Sequence, residues 1–117
     1  MQKVRLGKTE LEVSKNGFGA LPIQRITKAE AVYLLQKAFY HGINYFDTAR
    51  AYSDSEEKLG AAFSYTREKL VISTKTTAQN EKDFWKDLDE SLYHCHLIPK
   101  MVADDYQFKS ITEIWLG

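Results

Sequence analysis

The sequence predicts an α/β fold built on a parallel sheet. Short apolar strands alternate with amphipathic helices along the chain, and the loops between them are short. The predicted strands end near residues 19, 47 and 75, a spacing of 28 residues each time. Because one βα unit needs roughly 30 residues, this spacing is typical of successive βα units.

The N-terminal segment predicts a hairpin followed by a first sheet strand. Residues 4–6 and 11–13 alternate apolar and polar side chains, and residues 7–10 have the composition of a turn. The short apolar segment Gly17–Leu21 follows and predicts a buried strand that runs into a loop at Pro22.

A first helix and a second strand follow. Thr27 and Glu30 predict a capping box at the start of the helix, and Gly42 predicts its end. The apolar positions at helical spacing are Ala31, Leu34, Leu35 and Ala38. Residues 43–46 then predict a short strand that stops at Asp47.

The same pattern occurs twice more. Ser53 and Glu56 predict a second capping box, and the helix that follows carries Leu59, Ala62 and Phe63 on its inner face. Residues 71–74 predict a third strand that stops at Lys75. Asn80 predicts the cap of a third helix, whose apolar side carries Phe84, Trp85, Leu88 and Leu92.

The pattern weakens after Ser91. Pro99 cannot continue a helix and biases the preceding residue away from helical geometry. Residues 101–108 predict a fourth strand, although the acidic pair within it is poor strand sequence. Residues 112–115 predict the start of another helix.

Composition excludes several classes of protein. Sixteen basic and sixteen acidic residues give a net charge of zero, which favours neither nucleic acid nor an anionic membrane surface. There is no apolar run near 18 residues, and the N-terminus lacks the apolar core of a signal peptide. A single cysteine, Cys95, excludes an intramolecular disulfide framework, so we expect a cytoplasmic protein.

Three residues with chemical potential lie where strands end. Asp47 follows the second strand, Tyr52 lies in the loop after it, and Lys75 follows the third strand. A lysine ammonium stabilises a neighbouring phenolate, and an aspartate keeps that lysine charged and in place. Such a triad is suited to protonating a carbonyl oxygen while a cofactor supplies a hydride. Taken singly, each residue is more often a capping acid, a packed tyrosine or a solvated lysine.

The surrounding motifs resemble those of the aldo/keto reductase family. Residues 42–52 with 55–60 look like the first signature of that family, and residues 70–75 look like its third strand with the lysine. Residues 5–19 are similar to its N-terminal hairpin and first strand. The resemblance covers residues 1–92, and residues 93–117 diverge. It implies a partial (β/α)8 TIM barrel of about four parallel strands with an N-terminal β-hairpin.

The resemblance also implies functional roles. Tyr52 would be the general acid, Lys75 would assist its ionisation, and Asp47 would be the partner of Lys75. The residues implied beside the nicotinamide end of the cofactor are Gly19, Ala20, Leu21 and Asp47. The usual cofactor of the family is NADPH and its usual substrates are small aldehydes and ketones. Residues 19–25 most resemble the branch whose full-length members append a ferredoxin-like iron–sulfur domain, and we expect this chain to lack that domain.

One position departs from the family pattern. Residues 106–109 look like the fourth-strand stretch that ends in a catalytic histidine, and Lys109 stands in the place of that histidine. Lysine cannot present a neutral imidazole to a carbonyl, so we expect a severe loss of carbonyl reduction. The segment His94–His96 has too few ligands at suitable spacing to predict a metal site.

Length leaves the activity of the isolated chain open. A full barrel has about 250 residues and eight strands, whereas this sequence of 117 residues predicts about four. We therefore expect a truncated domain over residues 1–117. One alternative is a non-catalytic half-barrel that self-associates through its open sheet edges or binds a partner. Another is a complete small α/β binding module whose resemblance to the family is ancestral.

Overall fold

Short strands and helices alternate in the computed structural model, which describes residues 1–95 of the chain. In chain order the elements are β1 (Lys3–Arg5), β2 (Glu12–Ser14), β3 (Phe18–Gly19), α1 (Lys28–Tyr40), β4 (Tyr45–Asp47), α2 (Ser55–Phe63), β5 (Val71–Ser73) and α3 (Glu81–His94), with 3-10 helices at Leu21–Arg25 and Arg67–Lys69. The fourth strand predicted at 101–108, the helix start predicted at 112–115, and Lys109 all lie outside the described residues.

The N-terminal hairpin is confirmed. Strands β1 and β2 pair antiparallel, and Gly7 takes a positive φ of 56° in the turn between them. Asn44 joins this hairpin to the rest of the fold. Its side chain accepts a hydrogen bond from the backbone N–H of Ser14 (2.5 Å) and donates one to the carbonyl of Glu12 (3.0 Å). Since Asn44 directly precedes β4, the hairpin lies at the sheet end opposite Asp47.

The parallel sheet is confirmed, and within the described residues it has three strands in the order β3, β4, β5. The predicted extent of β3 was wrong. The strand stops at Gly19, and Leu21 begins a 3-10 helix with Pro22 in its first turn. Proline has no N–H to donate and a φ suited to helical geometry, so it is well placed there. Gly19 and Leu21 are exposed, so this stretch is not a buried strand.

Helix α1 begins as predicted, but its buried face differs by one position. The backbone N–H of Glu30 donates to Thr27 Oγ1 (3.1 Å) and that of Thr27 donates to Glu30 Oε2 (3.2 Å), which confirms the capping box. Leu35 is fully buried, whereas Leu34 is 42% exposed. The prediction of Leu34 on the inner face was wrong, because the buried stripe is centred farther round the helix, toward Phe39.

The main core lies between the sheet and helices α1 and α2. Phe46 of β4 is fully buried, and its ring centroid is 4.7 Å from that of Phe63 and 5.6 Å from that of Phe18. The inner faces predicted for α2 and α3 are confirmed: the buried apolar side chains are Leu59, Ala62 and Phe63 on α2, and Phe84, Leu88 and Leu92 on α3, with Trp85 packed beside them. No helix within residues 1–95 is long and apolar enough to span a membrane.

The neighbouring leucines of α1 provide a matched test of this packing. We expect Leu35→Ala to lower the free energy of unfolding by about 2–5 kcal/mol, because it leaves a cavity in the core. Leu34→Ala should change it by about 1 kcal/mol or less, since that side chain is 42% exposed and alanine favours helix. Urea unfolding followed by circular dichroism measures both. Equal losses at the two positions would contradict the buried face described for α1.

Candidate active site

The parallel register places the ends of three strands in one row. Gly19 of β3 is paired with Asp47 of β4, and Asp47 is paired with Ser73 of β5. Lys75 lies two residues beyond β5 on the same side. Because consecutive parallel strands end at one edge of the sheet, residues far apart in the chain become neighbours there. The structure therefore brings Asp47 and Lys75 together, as the sequence predicted.

Asp47 and Lys75 form a partly exposed ion pair. The Lys75 ammonium lies 3.0 Å from Asp47 Oδ2 and also donates to the carbonyl of Thr48 (2.6 Å). The hydroxyl of Ser73 donates to the other carboxylate oxygen at 2.5 Å. Each oxygen of Asp47 thus has its own donor, which fixes the carboxylate and, through it, the ammonium. About a third of each charged side chain stays exposed, so solvent reaches the pair.

Tyr52 lies beside this pair, in the loop between β4 and α2. The Lys75 ammonium is over its ring, 5.0 Å from the ring centroid, within the range of a cation–π contact. The loop backbone is held by hydrogen bonds from the N–H of Tyr52 to the carbonyl of Ala49 (3.1 Å) and from the N–H of Ser55 to the carbonyl of Tyr52 (2.8 Å). All three predicted catalytic residues are therefore within one group of contacts.

The second predicted capping box was wrong. Asp54, not Ser53, is the N-cap of α2, and no side chain caps the helix there. Ser53 has a positive φ of 41°, and its hydroxyl donates to Gln24 Oε1 across the site at 2.8 Å. The Glu56 carboxylate instead accepts hydrogen bonds from Arg50 in the preceding loop and from Thr74, directly after β5. A local pattern was overridden by tertiary contacts.

Glu56 is 1% exposed and binds donors from two separate segments. One carboxylate oxygen accepts a hydrogen bond from the guanidinium of Arg50, and the other accepts one from Thr74 Oγ1 at 2.8 Å. Arg50 also lies 3.7 Å from Glu90, an exposed carboxylate. Breaking a buried ion pair by removing one partner typically costs about 3–5 kcal/mol, because an unpaired charge stays in the interior.

The residues implied at the cofactor differ in exposure. A Cβ built on Gly19 would meet no atom within 4 Å, so there is open space beside Asp47 at the strand end. Leu21 is 52% exposed at the start of its 3-10 helix. Ala20 is fully buried, and its backbone N–H donates to the carbonyl of Asp47 at 2.8 Å. Gly19 and Leu21 thus offer surface to a ligand, and the side chain of Ala20 does not.

A buried lysine anchors the 3-10 helix that borders the site. Lys58 is 3% exposed, and its ammonium donates to the carbonyls of Ile23 (2.9 Å) and Ile26 (2.8 Å) and pairs with Asp54 (3.0 Å). These carbonyls end the 3-10 helix, whose backbone acceptors the ammonium satisfies. The segment carrying Leu21 is therefore tied to α2.

No role was predicted for Arg50, Ser73 or Thr74, and the role predicted for Glu56 was in a capping box. Arg50 and Glu56 lie within the family signature quoted above, so the sequence marked both positions. It could not show that their side chains form an ion pair. Ser73 could have been found from strand alternation, because it and Lys75 share a side of the strand. Among residues 1–95 there is no group of three His, Cys, Asp or Glu side chains suited to a metal ion.

Among residues 1–95, the pKa departs from its ordinary value at the buried thiol of Cys95 and at the half-buried guanidinium of Arg67. Burial, with a smaller contribution from the nearby charge of Glu56, raises the pKa of the Cys95 thiol to about 12. Burial also lowers the pKa of Arg67, partly offset by Cys95. Cys95 is 1% exposed, and its Sγ lies 4.0 Å from the carbonyl of Glu56. Such a thiol stays protonated at neutral pH and is a poor nucleophile.

The family model for the aldo/keto reductase family matches residues 15–112. The chain belongs to this family. L-Galactose dehydrogenase of Arabidopsis thaliana is 34% identical over 126 aligned residues, which cover 93% of this chain and 40% of the dehydrogenase. The chain thus spans well under half the length of this relative.

Solved structures agree with the family. An aldo-keto reductase of Bacillus halodurans in its holo form superposes with a TM-score of 0.74 at 25% identity, covering 83% of this chain and 37% of the reductase. A Pseudomonas aeruginosa protein assigned to the same family has a TM-score of 0.74 at 33% identity, covering 81% of this chain and 42% of its own. The fold is therefore part of a TIM barrel, as the resemblance implied.

A different group of relatives matches short stretches. Uronate isomerase of Phocaeicola vulgatus is 48% identical over 54 residues, which cover 46% of this chain and 12% of the isomerase. That of Bacteroides fragilis is 84% identical over 25 residues, which cover 21% of this chain and 5% of the isomerase. The likeness to the isomerases is confined to these stretches, whereas the likeness to the dehydrogenase runs along most of the chain.

The buried thiol predicts a pH dependence of stability. The folded state keeps the Cys95 proton at pH values where the unfolded thiol, with a pKa near 9, loses it. Deprotonation thus favours the unfolded state, and the free energy of unfolding should fall as pH rises from about 9 toward about 12, by up to about 1.4 kcal/mol per pH unit. Cys95→Ala should lack this component. Urea unfolding at pH 8, 9 and 10 compares the two, and parallel pH curves would refute the assignment.

Proposed function

We propose that the chain is an aldo/keto-reductase-type oxidoreductase that binds NADPH and reduces a small aldehyde or ketone. The observation that carries the proposal is the grouping of Tyr52, Lys75 and Asp47 at one row of strand ends. Membership of the family and the likeness to a dehydrogenase support it. The open space at Gly19, next to Asp47, fits a flat ring at the strand ends.

Each residue has a separate task in this proposal. Bound NADPH supplies the hydride that the carbonyl carbon receives. Tyr52 donates its phenolic proton to the carbonyl oxygen, and the Lys75 ammonium stabilises the phenolate that remains. Asp47 pairs with the Lys75 ammonium and holds it in place, and the Ser73 hydroxyl donates to the carboxylate of Asp47. Gly19 and Leu21 would border the nicotinamide, because both are exposed and Gly19 is paired with Asp47 at the strand end.

NADPH binding and turnover test this function with two site variants. NADPH fluorescence titration measures the Kd, and loss of NADPH absorbance with a panel of small aldehydes measures kcat/KM. Tyr52→Phe and Lys75→Met should lower kcat/KM by about 10²–10⁴-fold, since each removes proton-transfer chemistry. The Kd for NADPH of Tyr52→Phe should stay within about twofold, since a phenol oxygen alone is removed.

Tyr33→Phe is the matched control, because Tyr33 is an exposed tyrosine on α1. It should behave like the unchanged chain in both assays. If the unchanged chain neither binds NADPH nor reduces any aldehyde of the panel, the proposal fails.

A second candidate is a half-barrel that self-associates through its sheet edges. The observation favouring it is that, within residues 1–95, β3 and β5 each pair with one neighbouring strand, β4. Unpaired strand edges are templates for pairing with another chain. This candidate predicts a species of twice the chain mass in size-exclusion chromatography with light scattering, increasing with concentration. A monomer at every concentration would exclude it.

A further inference from the structure

We propose that Glu56 is a positioning residue, which holds the Tyr52 loop against the strand end that carries Lys75. The inference rests on the proposed function for the roles of Tyr52 and Lys75. The Glu56 carboxylate is buried and does not contact Tyr52 or Lys75 directly. It acts through two hydrogen-bond partners, one close to Tyr52 in the chain and the other next to Lys75.

The two carboxylate oxygens of Glu56 bind different segments. Arg50, two residues before Tyr52, donates to Oε1, and Thr74, directly before Lys75, donates to Oε2 at 2.8 Å. The loop and the strand end are thus joined through one side chain that is 1% exposed. A rigid helix, α2, carries that side chain and sets its position relative to both segments.

Backbone hydrogen bonds extend this tie into the site. The N–H of Arg50 donates to the carbonyl of Lys75 (2.9 Å), and the N–H of Thr48 donates to the carbonyl of Ser73 (2.8 Å). The Lys75 ammonium in turn donates to the carbonyl of Thr48 (2.6 Å). A shift of Arg50 would therefore move the backbone that orients the Lys75 ammonium over the Tyr52 ring.

A charge at Glu56 does what an apolar side chain of its size cannot. Well-packed apolar residues often stabilise an interior as much as a buried ion pair does, so stability alone gives little reason for the carboxylate. Two oxygens on one planar group fix the separation of two donors that belong to different segments. Glu90, the other carboxylate near Arg50, is 45% exposed and 3.7 Å away, so it does not replace this geometry.

The test compares Glu56→Gln with Glu57→Gln, its exposed neighbour on the same turn of α2. Glutamine keeps the size of the side chain but loses the charge and the second acceptor oxygen. The full chain, labelled with 13Cζ-tyrosine, is examined by NMR, with the Tyr52 signal identified through Tyr52→Phe. Thermal unfolding gives the melting temperature of each variant. The NADPH Kd and aldehyde turnover are then measured at temperatures where each variant is folded.

We expect Glu56→Gln to move the Tyr52 signal toward that of unfolded tyrosine and to leave the signal of exposed Tyr65 in place. It should lower kcat about 10- to 100-fold, the size of effect that a small misplacement of a reacting group produces, with NADPH Kd within about twofold. Glu57→Gln should leave all of these unchanged. A lower melting temperature with an unmoved Tyr52 signal and unchanged kcat overturns the proposal, since Glu56 would then be structural only.

A second variant keeps the question decidable if Glu56→Gln does not fold. Thr74→Val removes one of the two hydrogen bonds and leaves the ion pair with Arg50 intact. A displaced Tyr52 signal in that variant supports the tie, and an unmoved signal overturns it. The NMR measurement needs no turnover, so it is separate from the proposed function. If the unchanged chain fails to bind NADPH, the proposed function is refuted. The Tyr52 signal of the variants still tests whether Glu56 positions the Tyr52 loop.

Discussion

Parallel pairing of three short strands is the constraint on which the candidate site depends. A one-residue slip in any pairing would turn the side chains of that strand to the opposite face. In the observed register Gly19, Asp47 and Ser73 form one row, and Lys75 reaches Asp47 from just beyond it. The strands have only two or three residues each, so the helices packed on them supply most of the stability that holds the row together.

Two ion pairs near this row differ in how far they are exposed to solvent. Asp47 and Lys75 are each about one-third exposed, so a small molecule can approach the ammonium. Arg50 and Glu56 lie mostly or wholly inside, where water does not screen the charges. An exposed pair of this kind adds little to stability, whereas loss of one partner from the buried pair is costly.

The part that this chain shares with its family includes the residues proposed for proton transfer. The aldo/keto reductase model matches residues 15–112, and the solved relatives that superpose on the chain are more than twice as long as the part they share with it. The shared part includes the first three sheet strands and the loop with Tyr52. The groups proposed for proton transfer therefore come from the first three βα units.

Residue patterns alone determined the succession of elements, because the information for it is local. Hydrophobic periodicity and helix caps depend on neighbours within a few residues. The Thr27 capping box, the Asn80 cap and the helices that the periodicity predicted were confirmed. The motif around Asp47 and Tyr52 identified the family for the same reason. The exposure of Leu34 was not predicted, because the apolar positions of a helix do not show where the neighbouring helix packs.

Only the tertiary structure decided the role of Glu56. Its spacing from Ser53 matched a capping box, and from local sequence the two alternatives could not be distinguished. The fold brought Thr74, 18 residues away, and the Arg50 guanidinium to the same carboxylate, and a charged donor inside the protein outweighs a solvated backbone N–H. The sequence by itself thus determined the family, the order of elements and the positions of Asp47, Tyr52 and Lys75. Which side chains hold them in place depended on long-range contacts, which local patterns do not encode.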